Sequence, residues 1–260
     1  MKFLIIGSGF IFPVHTEAIR TIKGKISEVV NTRLGNDYWK EAIKHTDADC
    51  VVVLTPNDLH YEIIKTADEA GKIVLCEKPL CLKLDEAEDL ATKENIFTVL
   101  QLRHHPKVKE LKATIRQDIR YNIEMDISVH RDPEYYNSWK GQVDRSGGIL
   151  FNLGIHYFDL IQYLFGEPTE LLTSYVNDKS GSGVIKGKNY ECNFILSTDE
   201  PKETQRRVFK INGEDINFSS QDNLSYENLH RFVYQDLVKG VGITPKEVLP
   251  SIKLIERLKG

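Results

Sequence analysis

Lys2-Phe3-Leu4-Ile5-Ile6-Gly7-Ser8-Gly9-Phe10-Ile11-Phe12 opens the chain. The apolar run Phe3 to Ile6 stops at two closely spaced glycines, and the segment His15 to Ile22 then reads as helix before Gly24. Strand, tight turn and helix in that order begin a parallel sheet, because a strand that runs into a helix must cross over before it pairs. The same grammar recurs downstream. Apolar runs at Ile26 to Val30, Cys50 to Leu54, Ile73 to Cys76 and Ile96 to Leu102 alternate with segments that read as helix. One helix starts near Asn57-Asp58, both good N-caps, and stops at Gly71. Asp85 with Glu88 has the form of a capping box for another, reaching about Lys93. Strands buried on both faces and alternating with helices predict an α/β fold, a doubly wound parallel sheet.

After His104-His105-Pro106 the pattern changes. A helix from about Lys107 to Ile119 leads into the alternating stretch Tyr121 to Val129. Further strands are expected at Leu171 to Val176, Glu191 to Ser197 and Arg207 to Ile211, the last joined through Asn212-Gly213 to Ile216–Phe218 as a hairpin. Helices at about Gly154 to Phe165, Tyr226 to Lys239 and Pro245 to Leu258 supply the cover that a one-sided sheet needs. Thr244 as N-cap, Pro245 at the first helical position and Glu247 at the third announce the last of them. The second half is therefore expected to be an α+β domain with an open antiparallel sheet. The expected division is residues 1–103 and 104–260.

Composition narrows the function classes. With 34 Lys+Arg against 38 Asp+Glu among 260 residues, the net charge of −4 offers no basic excess for nucleic-acid phosphates. No apolar run approaches the ~18 residues of a membrane helix, and Met1-Lys2 leads straight into a strand, so a cytoplasmic protein is expected. Cys50, Cys76, Cys81 and Cys192 form no CxxC pair, which favours reduced, buried thiols and no metal site.

Four elements carry chemistry. The turn Gly7-Ser8-Gly9 has the first two glycines of the dinucleotide fingerprint, with Phe10 and Ile11 leading into the helix whose N-terminus would face a pyrophosphate. Thr55-Pro56-Asn57-Asp58-Leu59-His60 and Cys76-Glu77-Lys78-Pro79 follow central strands, where open α/β sheets bind ligands. Ser146-Gly147-Gly148 precedes Asn152, His156 and Asp159, which share one helical face by their i, i+4 and i, i+3 spacing.

Together and in this order, these motifs resemble the glucose-fructose oxidoreductase and inositol dehydrogenase family of NAD(P)-dependent sugar oxidoreductases. Leu100-Gln101-Leu102-Arg103-His104-His105, Ser138-Trp139-Lys140-Gly141 and Asn152 to Asp159 resemble one branch, the bacterial dehydrogenases that oxidise C3 of UDP-N-acetylglucosaminuronic acid (UDP-GlcNAcA). The resemblance implies a Rossmann-type first domain and a substrate-binding, oligomerising second domain. It implies Lys78 and His156 as catalytic residues, with Arg103, Lys140, Asn152 and Asp159 at the substrate. It implies a nucleotide cofactor held by Gly7, Gly9, Phe10, Ile11, Asn31, Thr55, Pro56, Asn57, His60, Glu77, Lys78 and Gln101. Lys78 beside a cationic nicotinamide would have its pKa lowered toward neutrality and serve as base.

This chain departs from the family pattern at three places. Asn152 stands where the inositol branch has Asp, which weakens His156 as sole base. Asn31-Thr32-Arg33 replaces the acidic residue that usually holds the ribose hydroxyls; the Arg suits a 2′-phosphate, and NAD is nonetheless the expected cofactor ahead of NADP. One short helix, about Tyr38 to Lys44, fills the space where the family has helix, strand and helix, so either a strand unit is lost or a segment near Arg33-Leu34 is omitted. The expected activity is hydride transfer from C3 of a nucleotide-linked amino-sugar uronate to NAD, in the making of surface polysaccharide. The alternatives are a free-sugar or inositol dehydrogenase and a non-catalytic NAD(H) sensor. A homodimer or homotetramer is expected through the open sheet face, carrying Phe194, Leu196, Val208 and Lys210 or their out-of-phase neighbours. The Lys78-Pro79 peptide is predicted to be cis.

Overall fold

A computed structural model describes residues 1–218 and 229–260. Its contacts divide into two units, Met1–His104 with Tyr226–Leu249 and His105–Ser225 with Pro250–Gly260. Segment 226–249 thus joins the first unit, which a single division at 103 does not express.

The first unit is built on β1 (Lys2–Ile6), β2 (Lys25–Val30), β3 (Cys50–Val53), β4 (Ile73–Cys76) and β5 (Ile96–Thr98). Between them run α1 (Phe12–Thr21), α2 (Asn36–His45), α3 (His60–Glu69) and α4 (Leu84–Leu90). All strand pairs are parallel, in the order β2-β1-β3-β4-β5. Every residue of β3 and β5 is buried, as a strand covered on both faces requires, whereas β2 is an edge strand and mostly exposed. Phe3, Ile5, Cys50, Val52 and Leu75 pack with Ala18 and Ile19 of α1 into one core. Only a 3-10 turn, Thr32–Leu34, and α2 lie between β2 and β3.

Two local expectations fail here. Asp85 and Glu88 form no capping box: the N-cap of α4 is Lys83, and Asp85 Oδ1 instead accepts from the Glu86 amide at 2.9 Å. The expected strand Ile96 to Leu102 ends at Thr98, and Gln101–His104 coils into a 3-10 turn.

The second unit contains α5 (Pro106–Thr114), β6 (Tyr121–Ser128), α6 (Pro133–Asn137), α7 (Val143–Ser146), α8 (Ile155–Phe165), β7 (Pro168–Val176), β8 (Ser180–Gly187), β9 (Tyr190–Ser197), β10 (Arg206–Ile211) and β11 (Glu214–Asp215). Its sheet has the order β11-β10-β6-β9-β8-β7. The neighbours β6 and β9 run parallel and the other pairs antiparallel, so the sheet is mixed where a fully antiparallel one was expected. α8 covers one face, with Phe158 edge-on to Phe194 at 5.4 Å. Asn212 and Gly213 take φ of 52° and 82°, the left-handed values of a tight hairpin, although β11 stops at Asp215 short of Ile216–Phe218.

Two helices follow, α9 (His230–Leu237) and α10 (Pro245–Lys259). The expected helix start at Tyr226 lies outside the described residues. Val233, Tyr234 and Leu237 of α9 enter the core of the first unit. The N-terminus of α10 is capped as its sequence announces: the Thr244 amide and hydroxyl both donate to Glu247 Oε2, at 2.9 and 2.8 Å. The four cysteines are free and buried, and burial pushes the thiols of Cys50, Cys76 and Cys192 up.

Candidate functional site

The loops that follow β1, β2, β3, β4 and β5 gather at the carboxyl edge of the parallel sheet. Gly7 makes the first turn at φ 102°, and a Cβ there would stand 2.5 Å from the Leu54 carbonyl oxygen, so only glycine fits. Gly9 is different. A Cβ on Gly9 would meet nothing of the chain within 4 Å, so this glycine leaves room beside the backbone for a ligand at the start of α1. Phe10 is 82% exposed, and Asn31, at the end of β2, reaches across to donate to Ser8 Oγ at 3.2 Å. Thr55 Oγ1 and Gln101 Oε1 are buried and have no hydrogen-bond partner among the described residues. A nucleotide with ribose hydroxyls and amide groups would complete both, so these loops fit such a cofactor.

Lys78 and Pro79 are joined by a cis peptide, as the sequence reading expects, and the Lys78 side chain is half-buried. Their neighbours are held firmly. His15 Nε2 lies 2.8 Å and His230 Nε2 3.3 Å from Glu77 Oε1, and Tyr234 Oη lies 2.8 Å from His15 Nδ1. Burial opposes the charge on Glu77, yet the two imidazoles hold its carboxyl well below the usual range; burial also lowers the pKa of His15. His60 is fully buried, with Nδ1 2.7 Å from the Pro79 carbonyl and Nε2 3.1 Å from that of Thr55. It ties two loops together and offers no surface to a cofactor. His15, Glu77 and His230 have the donors of a His–His–carboxylate metal set, within 4.8 Å of one another. A cation would have to displace the protons that the rings share with Glu77 Oε1, so hydrogen bonding accounts for the cluster.

Arg103, expected at an anionic substrate, is buried and donates to the Glu247 backbone carbonyl at 3.2 Å and to its carboxylate at 3.4 Å. Sequence reasoning singled out none of His15, His230 and Tyr234.

The second unit has its own cavity of about 600 Å³, lined in part by Arg131, Tyr135, Tyr136, Lys140, Asn152 and Lys179. Asn152 stands in the π-helical turn before α8 and donates to the Lys140 carbonyl at 3.2 Å. Arg131 and Lys140 lie 5.1 and 5.7 Å from the Tyr135 ring, and Lys179 lies 4.6 Å from that of Tyr136. Burial, then the charge of Arg131, lowers the Lys140 pKa. Gly141 is forced here, since a Cβ would stand 2.2 Å from the Tyr136 carbonyl oxygen. His156 is half-buried on the first turn of α8. Asp159 is 1% exposed and accepts from Ser251 Oγ at 3.0 Å, so it braces α8 against α10 and does not line the cavity.

Residues 25–96 match the family model described as "Oxidoreductase family, NAD-binding Rossmann fold", and residues 119–199 its C-terminal alpha/beta domain. The uncharacterized oxidoreductase YrbE of Bacillus subtilis is 30% identical over 188 residues, which cover 64% of this chain and 54% of that protein. Inositol 2-dehydrogenase of Rhizobium meliloti is 30% identical over 133 residues, 49% of this chain and 40% of that protein. The chain spans about half the length of the curated relatives it matches. Among solved structures, the WlbA (WbpB) dehydrogenase of Thermus thermophilus in complex with NAD and UDP-GlcNAcA is 26% identical with a TM-score of 0.86, over 100% of this chain and 95% of that one. Scyllo-inositol dehydrogenase of Lactobacillus casei, at 16% identity and a TM-score of 0.78, shares the fold. With both halves of the chain matched by companion models, the protein belongs to the Gfo/Idh/MocA oxidoreductase family.

Proposed function

We propose that the protein is an NAD-dependent dehydrogenase that oxidises a secondary alcohol of a nucleotide-linked sugar acid, with C3 of UDP-GlcNAcA as the leading candidate. The observation that carries this reading is the cavity of the second unit, where Arg131, Lys140 and Lys179 stand beside the rings of Tyr135 and Tyr136. Cations suit a diphosphate and a carboxylate, and tyrosine rings suit a base. The likeness to the Thermus enzyme along the whole chain supports the same reading.

NAD, when bound, supplies the hydride acceptor. Its pyrophosphate would lie over Gly7, Gly9, Phe10 and Ile11 at the start of α1, its adenosine ribose at Asn31, and its nicotinamide end near Thr55, Pro56, Asn57 and Gln101. Oxidation of the alcohol also releases the hydroxyl proton. Lys78, as a neutral amine, takes that proton and becomes an ammonium, while His156 shares a hydrogen bond with the sugar and Asn152 orients it. A second reading, an inositol or free-sugar dehydrogenase, is favoured by the 30% identity to inositol 2-dehydrogenase. Asn152 in place of the acid of that branch counts against it.

The test has two parts. Nucleotide released on denaturing the purified protein is identified by mass spectrometry, and NADH formation is followed with UDP-GlcNAcA, myo-inositol and glucose in parallel. NAD in the first and turnover of UDP-GlcNAcA alone in the second are expected. Turnover of inositol alone transfers the assignment to the second reading, and no binding of NAD or NADP removes both.

A further inference from the structure

We propose that His15, His230 and Tyr234 position Lys78 by way of the Glu77 carboxylate; the inference rests on Lys78 being the base of the proposed reaction. An ionised carboxylate only accepts, so the rings of His15 and His230 both carry their proton on Nε2, 2.8 and 3.3 Å from Glu77 Oε1. A neutral His15 then has only Nδ1 left, as an acceptor, and the Tyr234 hydroxyl donates to it at 2.8 Å. Burial favours that neutral form of His15 and keeps the Tyr234 phenol protonated. With Oε1 taken by two rings, Oε2 receives the Lys78 amide at 3.2 Å. The Glu77 side chain thereby fixes the peptide that enters Lys78. One residue further on, His60 holds the carbonyl of Pro79, at 2.7 Å. The backbone around Lys78 is thus anchored, through Glu77 before it and Pro79 after it, to buried histidines from α1, α3 and α9.

The titratable groups around Glu77 are His15 on α1, His230 on α9, His60 on α3, and Cys76 and Lys78 beside it in the chain, with Tyr234 behind His15.

The experiment uses two shapes of amide. Glutamine places its amide nitrogen where imidazole Nε2 stood, and asparagine where Nδ1 stood. His15→Gln keeps the bond to Glu77 and His15→Asn loses it; His230→Gln and His230→Asn repeat the comparison should His15→Asn fail to fold. With NAD and UDP-GlcNAcA, the Asn variants are expected to lose about tenfold in kcat and the Gln variants to recover most of it, by the sensitivity of turnover to small misplacements. KM and the affinity for NADH, read by its fluorescence, are expected to stay close to those of the parent. Glu77→Gln, if its oxygen keeps the two rings, turns an amide N–H toward the Lys78 amide and is expected to lower kcat as the Asn variants do, with KM and NADH affinity retained. Equal losses in the Asn and Gln variants, or a Glu77→Gln variant that turns over like the parent, overturn the proposal. A Lys78→Ala variant that turns over like the parent removes the base reading itself, and the positioning role with it.

Discussion

Gly7 and Leu54 touch so closely that a single added methyl group would stand 2.5 Å from the Leu54 carbonyl oxygen. This contact joins β1 to β3, where the order of the sheet reverses and open α/β sheets receive their ligands. Gly7→Ala combines a positive φ with a backbone clash, and is expected to destabilise the fold by about 1 to 3 kcal/mol. Gly9→Ala meets nothing within 4 Å and is expected to leave the melting temperature nearly unchanged while weakening NADH binding. Thermal melts and fluorescence titration of both variants separate the two roles. A Gly9→Ala protein that binds NADH as the parent does would remove the turn from the cofactor site.

Lys78→Ala is expected to cost about 2 to 4 powers of ten in turnover, the span of a positioned acid-base group, and to leave NAD binding largely intact. His156→Asn is expected to cost less, since Asn still offers the sugar a hydrogen bond. With a lysine base the rate rises with pH, and the His156 variant keeps that rise. Loss of the titration on removing His156, with retention in Lys78→Ala, reverses the roles.

The buried cluster is also expected to make the first unit less stable in acid. The folded pKa of His15 is lowered, so below 6.5 the unfolded chain binds a proton that the folded one resists, and stability falls as the pH drops. Glu77 adds to this: its folded pKa is depressed, so its contribution is complete above 4.5 and is lost as pH falls toward the folded value. The signs agree. His15→Gln does not titrate and is expected to flatten the fall in melting temperature between about pH 7 and pH 5. An unchanged slope would exclude His15 as its source.

The parallel unit was legible because burial on both faces leaves unbroken apolar runs, and β4 matches its expected bounds to the residue. Strand β8 was not, because Ser180-Gly181-Ser182-Gly183 has the composition of a loop; its pairing with β7 and β9 makes it a strand. The parallel pairing of β6 with β9 depends on what is inserted between them, α6 to β8, which local pattern does not report. For the same reason the histidine cluster was invisible. His15 and Tyr234 stand 219 positions apart, and only the return of α9 to the first core brings them together. Lys140 and Asn152, twelve positions apart, were singled out from local motifs and line the same cavity.

The outward face of the mixed sheet carries Leu172, Tyr175 and Ile195, all 45–49% exposed, while Phe194 and Leu196 point into the core. The expected set therefore mixes two faces: Val208 and Lys210 share the outward face with Ile195 through Asp126 and Glu124 of β6, whereas on β9 the outward row is the neighbour of the one named. Ile195 pairs with Ser182 on one side and Asp126 on the other, at the middle of the face. A symmetric dimer packed through this face would bury Ile195 against its own copy. Light scattering is expected to show a dimer or tetramer in the parent and a smaller species in Ile195→Asp. A parent that stays monomeric at micromolar concentration rules the interface out.

Lys140 offers the sharpest separation of sugar from cofactor. It lines the cavity of the second unit together with Arg131, while the glycine turn and the loops of the parallel sheet lie in the first. A charge-assisted hydrogen bond contributes about 1.5 to 3 kcal/mol, so Lys140→Ala is expected to raise KM for UDP-GlcNAcA about 10- to 100-fold and leave NADH affinity unchanged. Lys140→Arg keeps the charge and is expected to fall between. The pH dependence carries a further sign. Burial and Arg131 lower the Lys140 pKa below 10.5, so the cation is lost, and anion binding weakens, at a lower pH than for an exposed lysine. A bound anion draws the pKa back up. Inhibition by UDP, measured from pH 7 upward, is therefore expected to weaken earlier in the parent than in Lys140→Arg, whose guanidinium does not titrate there. Equal pH dependence in the two proteins, or an unchanged KM in Lys140→Ala, would separate this cavity from the nucleotide-sugar reading.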